Sequence, residues 1–129
     1  MIKDGVVVDT SVLIEFLKGN EPISSEIAEL LKTNRVIVTG IIVAELLQGV
    51  KNKKEEYKIS LLSEAVELLE IPTEIWMKAG KVSSSLRRKG VNLPITDVAI
   101  ASLATEYDLQ IFTLDKHFRK IPGVKLYRF

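Results

Sequence analysis

Short apolar runs alternate along this chain with longer stretches of helical periodicity, and that alternation constrains the fold more than any other feature. Gly5-Val6-Val7-Val8 reads as a buried strand, Arg35-Val36-Ile37-Val38 as a second, and residues 109–113 and 124–127 as two more. Between them the apolar spacing predicts helices over residues 11–18, 24–32, 41–48, a charged start at Lys51 running through 69, then 73–89 and 96–107. Glu70-Ile71 is expected as a short edge strand. Ser24 or Ser25, Thr73 and Thr96 stand where N-caps are expected, and Gly19 and Gly90 where helices stop. Strands alternating with helices imply a three-layer α/β/α fold with a mainly parallel central sheet. Ligands of such sheets bind beyond the carboxyl ends of the strands.

The chain has 129 residues, which reads as one domain over 1–129 with room for a hydrophobic core. Apolar residues are 47% of it and mean hydropathy is +0.18, so some apolar surface is expected to face a second copy or a protein partner. Leu13, Phe16, Leu17, Leu61, Leu62 and Leu69 are candidates for such surfaces, with core as the alternative for each; Trp76 is expected inside. No apolar run has the length of a membrane span, and Asp4, Asp9 and Glu15 interrupt the apolar start, which argues against a signal peptide. A cytoplasmic protein is expected. With no cysteine and one histidine, His117, neither a disulfide framework nor a thiolate or histidine zinc site can be built.

Charge is uneven although the net value is only +1. Residues 1–70 carry 8 Lys/Arg against 12 Asp/Glu, and the rest 10 against 5. No acid lies between Glu74 and Asp97, where Lys78, Lys81, Arg87, Arg88 and Lys89 stand. None follows Asp115, where Lys116, Arg119, Lys120, Lys125 and Arg128 stand. Such stretches suit phosphate contacts or solvated helix faces.

Four acids occupy the positions that a parallel α/β fold brings to one edge. Asp9 closes the first strand, Glu45 is set within an apolar helix, Asp97 opens another, and Asp115 follows the strand ending at Thr113. Each has an ordinary explanation when viewed alone. Asp9 could be an N-cap, although Thr10 and Ser11 could cap in its place. Asp97 suits the first turn of a helix, Glu45 an exposed helix face, and Asp115 a turn. Together, converging carboxylates repel one another, and a divalent cation is the usual remedy. Oxygen-only ligands favour Mg²⁺ or Mn²⁺.

The blocks Val7-Val8-Asp9-Thr10-Ser11-Val12-Leu13, Ile42-Val43-Ala44-Glu45-Leu46-Leu47-Gln48-Gly49-Val50, Thr96-Asp97-Val98-Ala99-Ile100-Ala101 and Phe112-Thr113-Leu114-Asp115-Lys116-His117-Phe118 follow one another at intervals that resemble the PIN-domain family. The likeness is to its VapC-type ribonucleases, the toxins of toxin–antitoxin pairs, and it extends to the closing Ile121-Pro122-Gly123-Val124-Lys125-Leu126. The resemblance implies a Mg²⁺- or Mn²⁺-dependent endoribonuclease that cuts RNA through metal-activated water. The carboxylates implied are Asp9, Glu45, Asp97 and Asp115, with Asp9 and Asp97 nearest the metal. Thr10, Ser11 and Thr113 match hydroxyls that order the site. A cognate antitoxin protein and a homodimer are implied as partners. The chain departs from the pattern in two places: His117 stands where many relatives carry a further acid, and Thr96 where a hydroxyl is often absent.

Bound divalent ions supply what phosphodiester hydrolysis needs, an activated water and compensation for phosphate charge. The competing enzyme classes fit less well. A haloacid-dehalogenase-type phosphotransferase wants a second Asp where Ser11 stands, a receiver domain wants an acid beside Asp9, and a dinucleotide-binding domain wants a glycine-rich turn where Thr10-Ser11-Val12 stands. The other reading is a PIN scaffold that binds RNA or a protein without cutting.

Overall fold

The computed structural model describes residues 4–129. Its centre is a five-stranded sheet in which every neighbouring pair is parallel, in the order β3-β2-β1-β4-β5. The strands are β1 (Val6–Val8), β2 (Val36–Val38), β3 (Glu67–Leu68), β4 (Gln110–Phe112) and β5 (Lys125–Leu126). All six residues of β1 and β2 are buried, as expected of β-branched runs covered on both faces. The pairing Val7↔Ile37 on one side and Val7↔Ile111 on the other places β1 at the centre.

The helices are α1 (Thr10–Leu17), α2 (Ile23–Lys32), α3 (Gly40–Gln48), α4 (Lys53–Ala65), α5 (Thr73–Arg88) and α6 (Ile95–Glu106), with a 3-10 turn at Lys116–Lys120. From β1 the chain steps outward to β2 and β3, then returns past the centre to β4. Because such crossovers are right-handed, α1–α4 cover one face and α5–α6 the other. The helix contacts divide the same way: α1 packs on α2 and α3, α3 on α4, and α5 on α6.

α6 is a core helix rather than an amphipathic one. Val98 to Ala104 are all buried, and the small residues Ala99, Ala101, Ser102 and Ala104 let it lie between the sheet and α5. Its position is therefore set along most of its length.

The expected helix through residue 69 is shorter than the periodicity suggested. It ends at Ala65, Val66 is extended, and Glu67–Leu68 form β3, earlier than the expected Glu70-Ile71. The open edge of β2 accounts for the change: Ile37 and Val38 pair with Glu67 and Leu68, and the Leu69 N–H donates to Val38 O at 2.9 Å.

Several expected helix starts or caps also differ. At the start of α2, Glu21 takes the Ser25 N–H at 2.7 Å, and Ile23 is already helical. Pro72 and Pro94 occupy the N-cap positions before Thr73 and Ile95; proline has no N–H to leave orphaned at a helix start. α4 begins at Lys53, after Asn52 caps the Glu55 N–H at 2.9 Å.

Trp76 packs part-buried against the core as expected, and so do Phe16, Leu17 and Leu69; Leu13 and Leu62 are buried, whereas Leu61 is exposed. Among the described residues, no helix is long and apolar enough to cross a membrane.

Candidate metal centre at the carboxyl edge of the sheet

β1 ends at Val8, so Asp9 stands at the carboxyl edge of the central strand, its N–H bonded to Phe112 O on β4 at 2.9 Å. Asp9 has the extended backbone of an N-cap, and its carbonyl accepts the first helical N–H groups of α1. Its side chain caps nothing. Oδ2 instead accepts the hydroxyls of Thr113 at 2.8 Å and Ser11 at 3.0 Å. Asp9 is buried at 7% exposure, and these donors offset part of the cost of holding a carboxylate there.

The two hydroxyls join distant parts of the chain. Ser11 Oγ also accepts the Leu114 N–H at 3.1 Å, and Thr113 Oγ1 accepts the Asp115 N–H at 3.0 Å. The segment after β4 is thereby tied to the start of α1. Asp115 turns its Oδ1 to the His117 N–H at 2.9 Å, capping the 3-10 turn, with His117 Nδ1 at 3.2 Å. The turn role considered for Asp115 is present, and it leaves the residue beside the site.

Glu45 is exposed on α3, where Thr10 Oγ1 donates to its Oε1 at 3.0 Å. Asp97 lies in the first turn of α6, its N–H bonded to Pro94 O at 3.1 Å. Burial pushes the Asp97 carboxyl up to about 6. The charges of Asp9, Asp115 and Glu45 push the same way, and only His117 opposes them. Each of the other three predicted acids thus acts electrostatically on Asp97.

The donor set suits a hard cation, being carboxylate and hydroxyl oxygen without thiolate. Among the described residues, no group of three or more acid or histidine side chains is already arranged to hold a metal ion.

The family model for the PIN domain matches residues 6–124, nearly the whole chain. The chain belongs to the PIN-domain family. A protein named Ribonuclease VapC1, from Methanocaldococcus jannaschii, is 28% identical over 132 residues, which cover 95% of this chain and 86% of that protein. Among solved structures, DNA-bound VapBC from Salmonella typhimurium superposes with a TM-score of 0.85 at 22% identity, covering 97% of this chain and 98% of that one. VapBC-1 from nontypeable Haemophilus influenzae gives 0.78 at 27% identity, covering 95% and 96%.

Two features of this PIN domain lay outside the sequence reading. Thr39 follows β2 one strand over from Asp9, is fully buried, and its hydroxyl finds no hydrogen-bond partner among the described protein groups. The available signal was its likeness to Thr10 and Thr113, hydroxyls that also follow central strands. The other feature is a groove of about 360 Å³ between α1, α3 and α4. Ile14, Leu17, Leu46, Val50 and Ile59 are among its lining residues, as is Glu45.

Proposed function

We infer that this chain is a Mg²⁺- or Mn²⁺-dependent endoribonuclease, and that it acts as the toxin of a toxin–antitoxin pair. The observation that carries the reading is the buried Asp9 carboxylate at the ligand-binding edge of the sheet, held by the Thr113 and Ser11 hydroxyls at 2.8 and 3.0 Å, with Asp97 close enough to feel its charge. Membership of the PIN family and likeness to proteins named ribonuclease VapC support the substrate class.

Asp9 and Asp97 would hold the ion, with Asp115 and Glu45 completing the acidic field. A divalent ion bound there supplies water activation and neutralisation of phosphate charge. The chain's own groups do the positioning. Thr113 and Ser11 fix Asp9 through Oδ2, and Ser11 also holds the Leu114 backbone. Thr10 holds Glu45 across from α1. The Asp97 carboxylate, with a value of about 6, is mostly ionised at neutral pH and becomes protonated in mild acid.

An antitoxin protein is the proposed partner, because several structural neighbours are VapBC complexes and an apolar-walled groove adjoins Glu45. A homodimer is proposed as well, supported by exposed apolar side chains such as Leu61 and Leu68.

The test is incubation of the purified chain with a structured RNA pool, with Mg²⁺ or Mn²⁺, with EDTA, and with an Asp97→Asn variant alongside. Cutting that requires metal and disappears in the variant is the expected result. Metal-independent cutting, or full cutting by Asp97→Asn, rejects the reading. Binding of RNA without any cutting favours the scaffold alternative.

A further inference from the structure

α5 buries Ile75, Ala79 and Leu86 and turns its opposite side to solvent. That side carries a shallow groove of about 420 Å³ lined by Gly80, Ser83, Ser84, Arg87, Arg88 and Ile95. A second hollow shares Gly80, Ser84 and Arg88 with it and extends to Met77 and Lys81. The two make one track along the helix. Its floor is open, since a Cβ on Gly80 would meet nothing within 4 Å.

The track is cationic and has no internal counter-charge. Lys81 and Arg88 lie on one face, seven residues apart, and Arg87 adjoins them. No acid occurs in the sequence between Glu74 and Asp97. Among the described residues, Lys81, Arg87 and Arg88 form no ion pair; Lys78 alone in this stretch reaches an acid, Glu106 at 3.4 Å. Arg87 and Arg88 in the last turn complement the helix dipole. Lys81, in the middle of the helix, gains nothing from that effect.

The hairpin of α5 and α6 sets the location. It brings Ile95 into the track, and Asp97 lies two residues further along α6, a rise of about 3 Å and well round the helix. α6 leads into β4, which runs parallel to β1, so the end of α5 and the start of α6 lie toward the same carboxyl edge that carries Asp9.

We propose that Lys81, Arg87 and Arg88 bind the phosphate backbone of the RNA strand beside the bond to be cut. The assignment rests on the endoribonuclease reading. The carboxylate edge repels a polyanion until its charge is compensated, and a neighbouring cationic track supplies affinity that the acids cannot. Phosphate contacts of this kind position a strand without reading its sequence.

The experiment measures binding of a single-stranded RNA oligonucleotide across a salt series, and cleavage kinetics on the same RNA. It compares the parent, Lys81→Gln, the pair Arg87→Gln/Arg88→Gln, and the control pair Lys53→Gln/Lys54→Gln on α4, across the sheet. Circular dichroism confirms that each is folded. The arginine pair is expected to weaken binding and raise KM roughly tenfold, with kcat held. Its slope of log affinity against log salt should fall by about 1.4, since a single-strand contact contributes about 0.7. Lys81→Gln should lower the slope by about half as much.

Unchanged affinity and slope in the arginine pair overturn the α5 assignment while leaving the nuclease reading in place. An equal loss in the α4 control overturns it too. A parent that neither binds nor cuts RNA overturns the endoribonuclease reading, and this assignment with it.

Discussion

At the scale of single residues, the site is a contest between carboxylate repulsion and the groups that hold the carboxylates in place. Asp97 shows the repulsion. Its folded-state value of about 6 lies above the unfolded value near 3.9, so the native state binds the proton more tightly. The sign of the pH dependence follows. Stability from this group is fully present below about pH 4 and is lost as pH rises through about 6. In EDTA, Asp97→Asn should melt a few degrees above the parent at pH 7.5, and the gap should close near pH 4. Scanning calorimetry at both values checks this. Metal affinity should rise as pH rises through about 6, because binding requires the ionised carboxylate.

Thr113 and Thr10 give a second contrast at this scale. Thr113 bonds buried Asp9 and receives the Asp115 N–H, so Thr113→Val should cost roughly 1–3 kcal/mol and lower cleavage. Thr10 serves only an exposed bond to Glu45, and Thr10→Val should cost less than about 0.5 kcal/mol. Urea unfolding of the two variants separates them. The sequence marks the four acids as candidates because each interrupts or borders an apolar run. It does not mark the bond from Ser11 to Leu114, since 103 residues separate its ends and only the sheet order brings them together.

At the scale of elements, the ends of strands and helices place the chemistry. β1 supplies Asp9 at its exit, and α6 supplies Asp97 at its entry. The rigidity of α6 comes from packing on every side, and short side chains make that packing possible. Ala101→Leu adds volume to a fully buried position and should cost about 1–3 kcal/mol. It should also lower cleavage by shifting the Asp97 turn, which chemical denaturation and RNA turnover together detect. Most elements could be read from periodicity and β-branched runs. The α4–β3 boundary could not, because Glu67 and Leu68 leave the helical pattern only to meet the unpaired edge of β2. Pro72 and Pro94, not the neighbouring Thr73 and Thr96, hold the N-cap positions of α5 and α6.

At the scale of the whole molecule, the strand order determines the site. Placing β1 between β2 and β4 gathers Asp9, the start of α3 and the segment after β4 at one edge. The alternation of strands and helices predicts that acids at strand ends share one edge, but periodicity carries no information on the strand order that makes them neighbours. A divalent-metal centre built by these acids must stabilise the folded chain when the ion binds. The measurement is the melting temperature of the parent, Asp9→Asn and Asp97→Asn at pH 7.5, over a Mn²⁺ titration that starts from EDTA. At an ion concentration a hundred times its dissociation constant, the parent should gain about 2.7 kcal/mol, a rise on the order of 10 °C. Both variants should lose most of that rise. A parent that does not respond to millimolar Mn²⁺ or Mg²⁺, or variants that respond as fully as the parent, would contradict the account.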